Sequence, residues 1–335
     1  MTKSETKHKV FTPWAAAAAL ALAVSLIFTA CPQTTGGGGD ALADKTENVE
    51  GIQFTMKGIA AVTNGKIGHA DQEHNGERTV SLTAYHIGQT EVTQDLWEAV
   101  MGDNPSAFSG GSNPPASGET QGARPVERVN WYSAIAFCNK LSLKLGRAPV
   151  YSVTIGGTPV DFESLTISQI PTTDNTDWNA VTADWSVNGF RLPTEAEWEW
   201  AAKGGQDFKW AGTDNKDQLK YYAWYGWYKD DGDQDGGDAG GKTHQVKLKL
   251  PNGYGLYDMS GNVCEWCWDR YEDEDTVPDP VPLDYAGETG STDDRRVRRS
   301  GGLCYGSKEA TCAFRTRSGP DYWTYDTGLR LVCRP

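Results

Sequence analysis

The chain reads as a mixed helix-and-strand protein with little regular structure, on three observations. Helical patterns are few and short: one near residues 93–100, a longer one over 131–145, and a third opening at Thr194. Strand-like runs at 51–56, 85–88 and 328–332 are brief and lie beside glycines. Long polar stretches separate these elements, above all 149–188 and 207–244. At 335 residues, 38% hydrophobic and 23% charged, the chain suffices for one large domain or two small ones.

The first element is an address. Lys3, Lys7 and Lys9 precede an apolar run over 11–30 that ends in Phe28-Thr29-Ala30-Cys31. Small residues directly before a cysteine resemble a bacterial lipoprotein signal, cleaved before Cys31 with a diacylglycerol on its thiol. Phe28 stands where leucine is usual. A plain cleaved signal peptide and a membrane-spanning helix are the alternatives. Residues 1–30 are therefore expected to be a signal peptide and 31–50 a flexible glycine-rich tether ahead of the folded part. Loss of Lys3, Lys7, Lys9 and Glu5 with the signal takes the formal charge from −14 to −16. An acidic surface repels phosphate backbones, which excludes nucleic acid as a partner. No second long apolar run follows, so the lipid is the expected membrane contact, at the outer membrane or cell surface.

Within the domain, residues 51–56 and 85–88 have strand character and flank a polar hairpin region. Thr93 caps a helix in which Leu96, Trp97 and Val100 share a face. Asn130 caps the longest helix, with Ala134, Cys138, Leu141 and Leu145 on one side and Gly146 at its end. Residues 149–188 read as short strands and loops. Thr194 with Glu197 three positions on forms a capping box, each side chain satisfying an orphan backbone donor, and Gly204 ends that helix. Asp231-Gly232-Asp233-Gln234-Asp235-Gly236 imitates the opening of a calcium loop, but Lys242 stands where a glutamate would close it. It reads as a solvated acidic loop with weak metal affinity at most.

The last stretch, 297–333, opens on Gly301-Gly302 and closes on Gly328-Leu329-Arg330-Leu331-Val332, whose apolar part reads as one buried strand. Between them, Tyr305, Phe314, Tyr322, Trp323 and Tyr325 sit among Asp, Ser, Thr and Gly without helix or strand period. Aromatics in a polar loop are either core plugs or a binding surface, since they bury large area at low entropic cost. Five in one loop favour the surface. The expected ligand contacts are Tyr305, Phe314, Thr316, Asp321, Tyr322, Trp323, Tyr325 and Asp326, with Cys304 and Leu303 secondary.

Several motifs in one order give the chain a family likeness. Glu91-Val92-Thr93, Asn104-Pro105-Ser106, Pro125-Val126, the run from Arg191 to Glu199 and the run from Gly255 to Val263 resemble the formylglycine-generating-enzyme (sulfatase-modifying-factor) family. So do Gly301-Gly302 and Gly328-Leu329-Arg330, the latter in place of Gly-Phe-Arg. The resemblance covers about 52–333 and implies that 51–335 is a single domain with a C-type-lectin-like α+β fold, sparse in regular secondary structure. Within this family the C-terminal segment looks like the variable region of retroelement-diversified proteins, the Treponema variable protein group. There, randomised template adenines replace asparagine-type codons, and residues 298–327 contain no asparagine.

The family includes oxidases, iron enzymes and non-catalytic binders, so fold alone assigns no activity. The family oxidase binds copper through two closely spaced cysteines after Gly-Gly. Here Cys304 and Cys312 are spaced more widely, and His69, His74, His86 and His244 lack the spacing of the family's iron site. By resemblance, Cys138 and Cys333 form one disulfide and Cys267 and Cys312 a second; the partner of Cys264 stays open, with Cys304 one candidate. Cys264-x-x-Cys267 lacks the second ligand pair that a zinc site needs. The resemblance also implies a structural calcium ion held by Asp258, Gly261, Val263 and Glu265, and all-oxygen ligation suits that metal. A polar turn with Glu265 salt-bridged inside is the alternative. The expected protein is thus a monomeric surface lipoprotein that binds a protein or glycan through a hypervariable face without catalysis. A copper oxidase acting on a protein cysteine, or a structural lipoprotein, are the rivals.

Overall fold

Glu50-Gly51 turn the first hairpin, because both take left-handed backbone angles (φ 53° and 90°). Such a turn matches the twist of paired strands, and it joins β1 (Lys45–Val49) to β2 (Ile52–Ile59). The computed structural model describes residues 42–226, 237–273, 276–287 and 293–335. Cys31, the signal segment and the acidic loop 231–236 lie outside the described residues. The hairpin corrects the expected tether: its last residues, 45–49, are an ordered strand of the domain.

After the second hairpin, β3 (Val62–Ile67) with β4 (Arg78–Leu82), the chain enters β5 (Tyr85–Gly88), buried at every position. Three predicted helices follow with their predicted caps. In α1 (Gln94–Met101) the Thr93 hydroxyl accepts from the Leu96 N–H; in α2 (Trp131–Lys144) the Asn130 side chain accepts from Ser133 at 2.8 Å. The segment after α2 holds short strands, β6 (Tyr151–Ser152), β7 (Thr154–Ile155), β8 (Thr158–Pro159) and β9 (Thr182–Ala183), with the one-turn helix α3 (Thr176–Asn179). Beyond β10 (Phe190–Arg191), α4 (Glu195–Lys203) begins at the capping box of Thr194 and Glu197 and stops at left-handed Gly204. The remaining strands are β11 (Cys264–Arg270), β12 (Arg296–Arg299), β13 (Thr316–Ser318), β14 (Thr327–Leu329) and β15 (Val332–Cys333).

Two sheets carry the C-terminal segment. One has the order β1-β2-β5-β15-β10, so the last strand lies between elements from the start and middle of the chain. The other has the order β13-β12-β11-β14, with β14 parallel to β11. The run 328–332, expected as one strand, is therefore split between the sheets. The break falls at Arg330, whose side chain turns inward to Glu265 at 2.7 Å, both fully buried. A core builds around α2, where Trp97 stacks on Phe137 at 4.9 Å. Two buried indoles tie α2 to β11: Trp131 donates to the Cys267 carbonyl at 2.9 Å, and Trp266 to Val129 at 2.8 Å. A second core lies where α4 packs over Tyr85, Ile87 and Val332.

The expected disulfides do not form in this structure. Cys138 and Cys333 share the first core, and Cys267 and Cys312 the second, but all four thiols are free, as are Cys264 and Cys304. Burial raises each thiol's pKa, that of Cys312 to about 12, so these residues fill space as small neutral hydrophobes.

The Arg330–Glu265 pair yields a direct test. Replacing Arg330 with Met leaves the buried Glu265 carboxylate without its cation, at a cost of roughly 3–5 kcal/mol. Urea denaturation of the purified variant measures it; a loss below about 1 kcal/mol would show that the pair does not hold the two sheets together.

Candidate ligand-binding face

The C-terminal segment leaves β12 through Ser300, Gly301 and Gly302, all left-handed. A Cβ at Gly301 would lie 2.2 Å from the Glu309 carbonyl, so only glycine admits the returning chain there. Three buried arginines then fix the segment. Arg299 reaches Glu199 at 2.7 Å and Glu195 at 3.2 Å, and also binds the Cys312 and Ala313 carbonyls. Arg315 forks onto Glu195 at 2.7 and 2.8 Å, and Arg330 holds Glu265. Burial pushes the Glu195 carboxyl up, but Arg315 and Arg299 together hold it below its ordinary value. The first turn of α4 thus clamps both sides of the loop between β12 and β13.

The loop that follows β13 is strapped to the first residue of α2 and to those ahead of it. Trp131 N–H donates to Pro320 O at 2.9 Å, and Arg128 N–H donates to Thr324 O at 3.0 Å. On this strap Tyr322 and Trp323 point outward, 43% and 47% exposed. Each rests on a guanidinium: Arg298 lies 4.8 Å from the Tyr322 ring centre, and Arg128 lies 4.5 Å from that of Trp323. Thr316 and Asp321 are partly exposed beside them.

The remaining predicted contacts divide. Tyr305 and Phe314 are half-buried against each other, ring centres 6.1 Å apart. Tyr325 meets Phe108 edge-on at 6.2 Å. Leu303, Cys304 and Asp326 are corrections to the expected surface. Leu303 and Cys304 fill a small core with Phe108 and Ala239, while the buried Asp326 accepts from the Thr327 hydroxyl and its backbone carbonyl from Cys264 N–H. Their side chains support the face from below. The sequence reading missed Arg128 and Arg298, since a stacking contact between a strand or turn and a distant loop, nearly two hundred residues away for Arg128 and Trp323, leaves no periodic trace.

Of the expected calcium ligands, Glu265 is already engaged in the fold. Glu265 is consumed by Arg330 and by the Trp198 indole N–H at 2.5 Å. The Gly261 carbonyl accepts from the Ser300 hydroxyl, and Val263 is tied by its N–H to Glu91. Asp258 accepts from Lys247 N–H through one oxygen; its other oxygen is buried without a partner, and burial pushes its carboxyl up to about 6. Among the described residues no three His, Cys, Asp or Glu side chains are grouped to hold a metal. Glu265 is salt-bridged inside to Arg330, as the polar-turn alternative has it.

The cysteine pair that would carry oxidase chemistry is also dispersed. Cys304 lies in the small core under the face and Cys312 in the core beneath α4, and burial raises both thiols. Neither is a ready thiolate.

With this geometry in hand, the chain can be placed among known proteins. The profile described as "Sulfatase-modifying factor enzyme 1-like domain" matches residues 41–335. The chain is 53% identical to the solved structure of Treponema denticola variable protein 1, with a TM-score of 0.81, over 88% of this chain and 100% of that one. It is 39% identical over 267 residues to "Chaperone protein LppX" of Paenibacillus barcinonensis, covering 76% of this chain and 82% of that protein. A formylglycine-generating enzyme of Thermomonospora curvata is 36% identical over 168 residues, 47% of this chain. That match spans 54%, about half, of the enzyme's length.

Surface and core residues of this segment should separate by mutation. Trp323→Ala is expected to change stability by less than about 1 kcal/mol. Leu303→Ala should cost roughly 2–5 kcal/mol by opening a cavity. Chemical denaturation of both variants decides; a large loss for Trp323→Ala would make it a core plug.

Proposed function

The chain belongs to the sulfatase-modifying factor (formylglycine-generating enzyme) family, and from that premise we propose that it is a lipid-anchored surface protein. It binds ligands through the C-terminal face and performs no catalysis. The observation that carries this reading is the outward display of Tyr322 and Trp323 on a backbone held by buried arginines. Rigid aromatic tips provide contact area without the ordering cost of a mobile loop. The likeness to a protein called a variable protein supports a face whose side chains are diversified by a retroelement. The absence of asparagine from 298–327 agrees with that origin. Lipidation at Cys31 would tether the domain to the outer membrane or cell surface, and a protein or glycan would be the ligand. The name of the Paenibacillus barcinonensis relative raises a chaperone reading. That reading would use the same exposed rings but predicts capture of unfolded chains regardless of sequence.

The enzymatic rival is tested by incubating the copper-loaded chain with a sulfatase-type cysteine peptide. Mass spectrometry should find no aldehyde above the copper-only control, in keeping with buried, separated Cys304 and Cys312. Formylglycine formed over repeated turnovers would overturn the binding reading.

A further inference from the structure

A groove of about 450 Å³ opens beside Trp323. Pro105, from the loop after α1, lines it together with Ile167, Ile170 and Pro171. Trp97 and Asp103 also line it. Asp103 Oδ1 and the Trp97 indole nitrogen are buried, and neither closes a hydrogen bond of ordinary geometry. The indole is near enough to temper the rise that burial imposes on the carboxyl. The two atoms face each other, so the indole rather than a ligand is the group nearest this carboxyl oxygen.

Arg128 stands at the same groove. Its backbone is left-handed, φ 61°, a conformation that strains a residue with a side chain and clusters at functional sites. The Thr324 carbonyl holds it there. Its guanidinium covers one face of Trp323, yet its side chain makes no hydrogen bond or ion pair among the described residues. The adjacent Glu127 does not pair with it, being turned inward to accept from Phe108 N–H at 2.7 Å. A planar fork with free N–H edges matches a carboxylate.

We propose that this groove receives an extended peptide in which an acidic side chain stands next to an aliphatic one. The carboxylate pairs with Arg128, and the aliphatic group lies among Ile167, Ile170 and Pro171. The inference rests on reading the C-terminal face as a ligand surface, since Trp323 belongs to both. A glycan fits less well. Asn130 is already spent on Ser133 N–H and the Pro171 carbonyl, and the Ser133 hydroxyl is bonded to Asn130. Against Ile167, Ile170 and Pro171, sugar hydroxyls would lose hydrogen bonds that they make to water.

A phage library of random heptapeptides, panned on the full chain, tests this. Selected peptides should be enriched in Asp or Glu beside Leu, Ile or Val. Arg128→Gln should weaken a selected synthetic peptide about tenfold or more, the size of a lost charge-assisted contact. Changing the peptide's acid to its amide should weaken binding to the unaltered protein similarly and to Arg128→Gln hardly at all. Leu283→Ala, exposed but outside the groove, should change nothing. Circular dichroism of Arg128→Gln checks that it folds. Peptides that need Trp323 but show no acid preference, or that bind Arg128→Gln equally, would overturn the groove and leave the face intact. Selected peptides indifferent to both Trp323→Ala and Tyr322→Ala would overturn the face itself. Failure to select any peptide would count against the peptide ligand.

Discussion

Buried arginine–carboxylate pairs position the rest of the C-terminal structure. Glu195 and Glu199 of α4 hold Arg299 and Arg315, and Glu265 of β11 holds Arg330. Taking these charges out of water costs nearly as much as their attraction returns, so they add little net stability. Their effect is directional. A guanidinium with bonds to two acids and two carbonyls, as Arg299 has, tolerates few other arrangements. These contacts fix the start of the segment, the approach to β13 and the junction between the sheets. Moving any one would strand a buried charge.

This frame separates what must be constant from what is free. Arginines, glycines and short strands carry the backbone, while Thr316, Asp321, Tyr322 and Trp323 present side chains that no core contact requires. Leu303, Cys304 and Asp326 fall on the constant side because they fill or tie the small core beneath. Gly328 does as well: a Cβ there would lie 2.4 Å from the Val126 carbonyl. Because the frame bears the ordering cost during folding, binding at the face need not bear it again.

Much of the fold was legible in local chemistry. Thr93, Asn130 and Thr194 announce their helices because a cap is a contact over two or three residues. The Glu195-to-Glu199 stretch marked a helix but not its purpose, since its arginine partners lie about a hundred positions away. For the same reason one apolar period across 328–332 suggested one strand, when the inward turn of Arg330 divides it between two sheets. The site was legible as an aromatic-rich segment only. Which rings point outward depends on what lies beneath them: Phe108 under Tyr325, Arg128 beside Trp323. The pairing of Glu265, one of the expected calcium ligands, was hidden for a similar reason, because its partner Arg330 lies sixty-five positions away.

The central claim is that the frame folds irrespective of the face. The most direct measurement is the fraction of folded molecules in a pooled library with residues 316, 321, 322 and 323 randomised together, read by resistance to limited proteolysis and sequencing of the survivors. The account predicts that most members survive, with no strong preference at those four positions, while a matched library at 299, 315 and 330 retains arginine almost alone. Survivors that keep Tyr322 and Trp323 as strictly as the arginines would contradict it, because the two rings would then be part of the core.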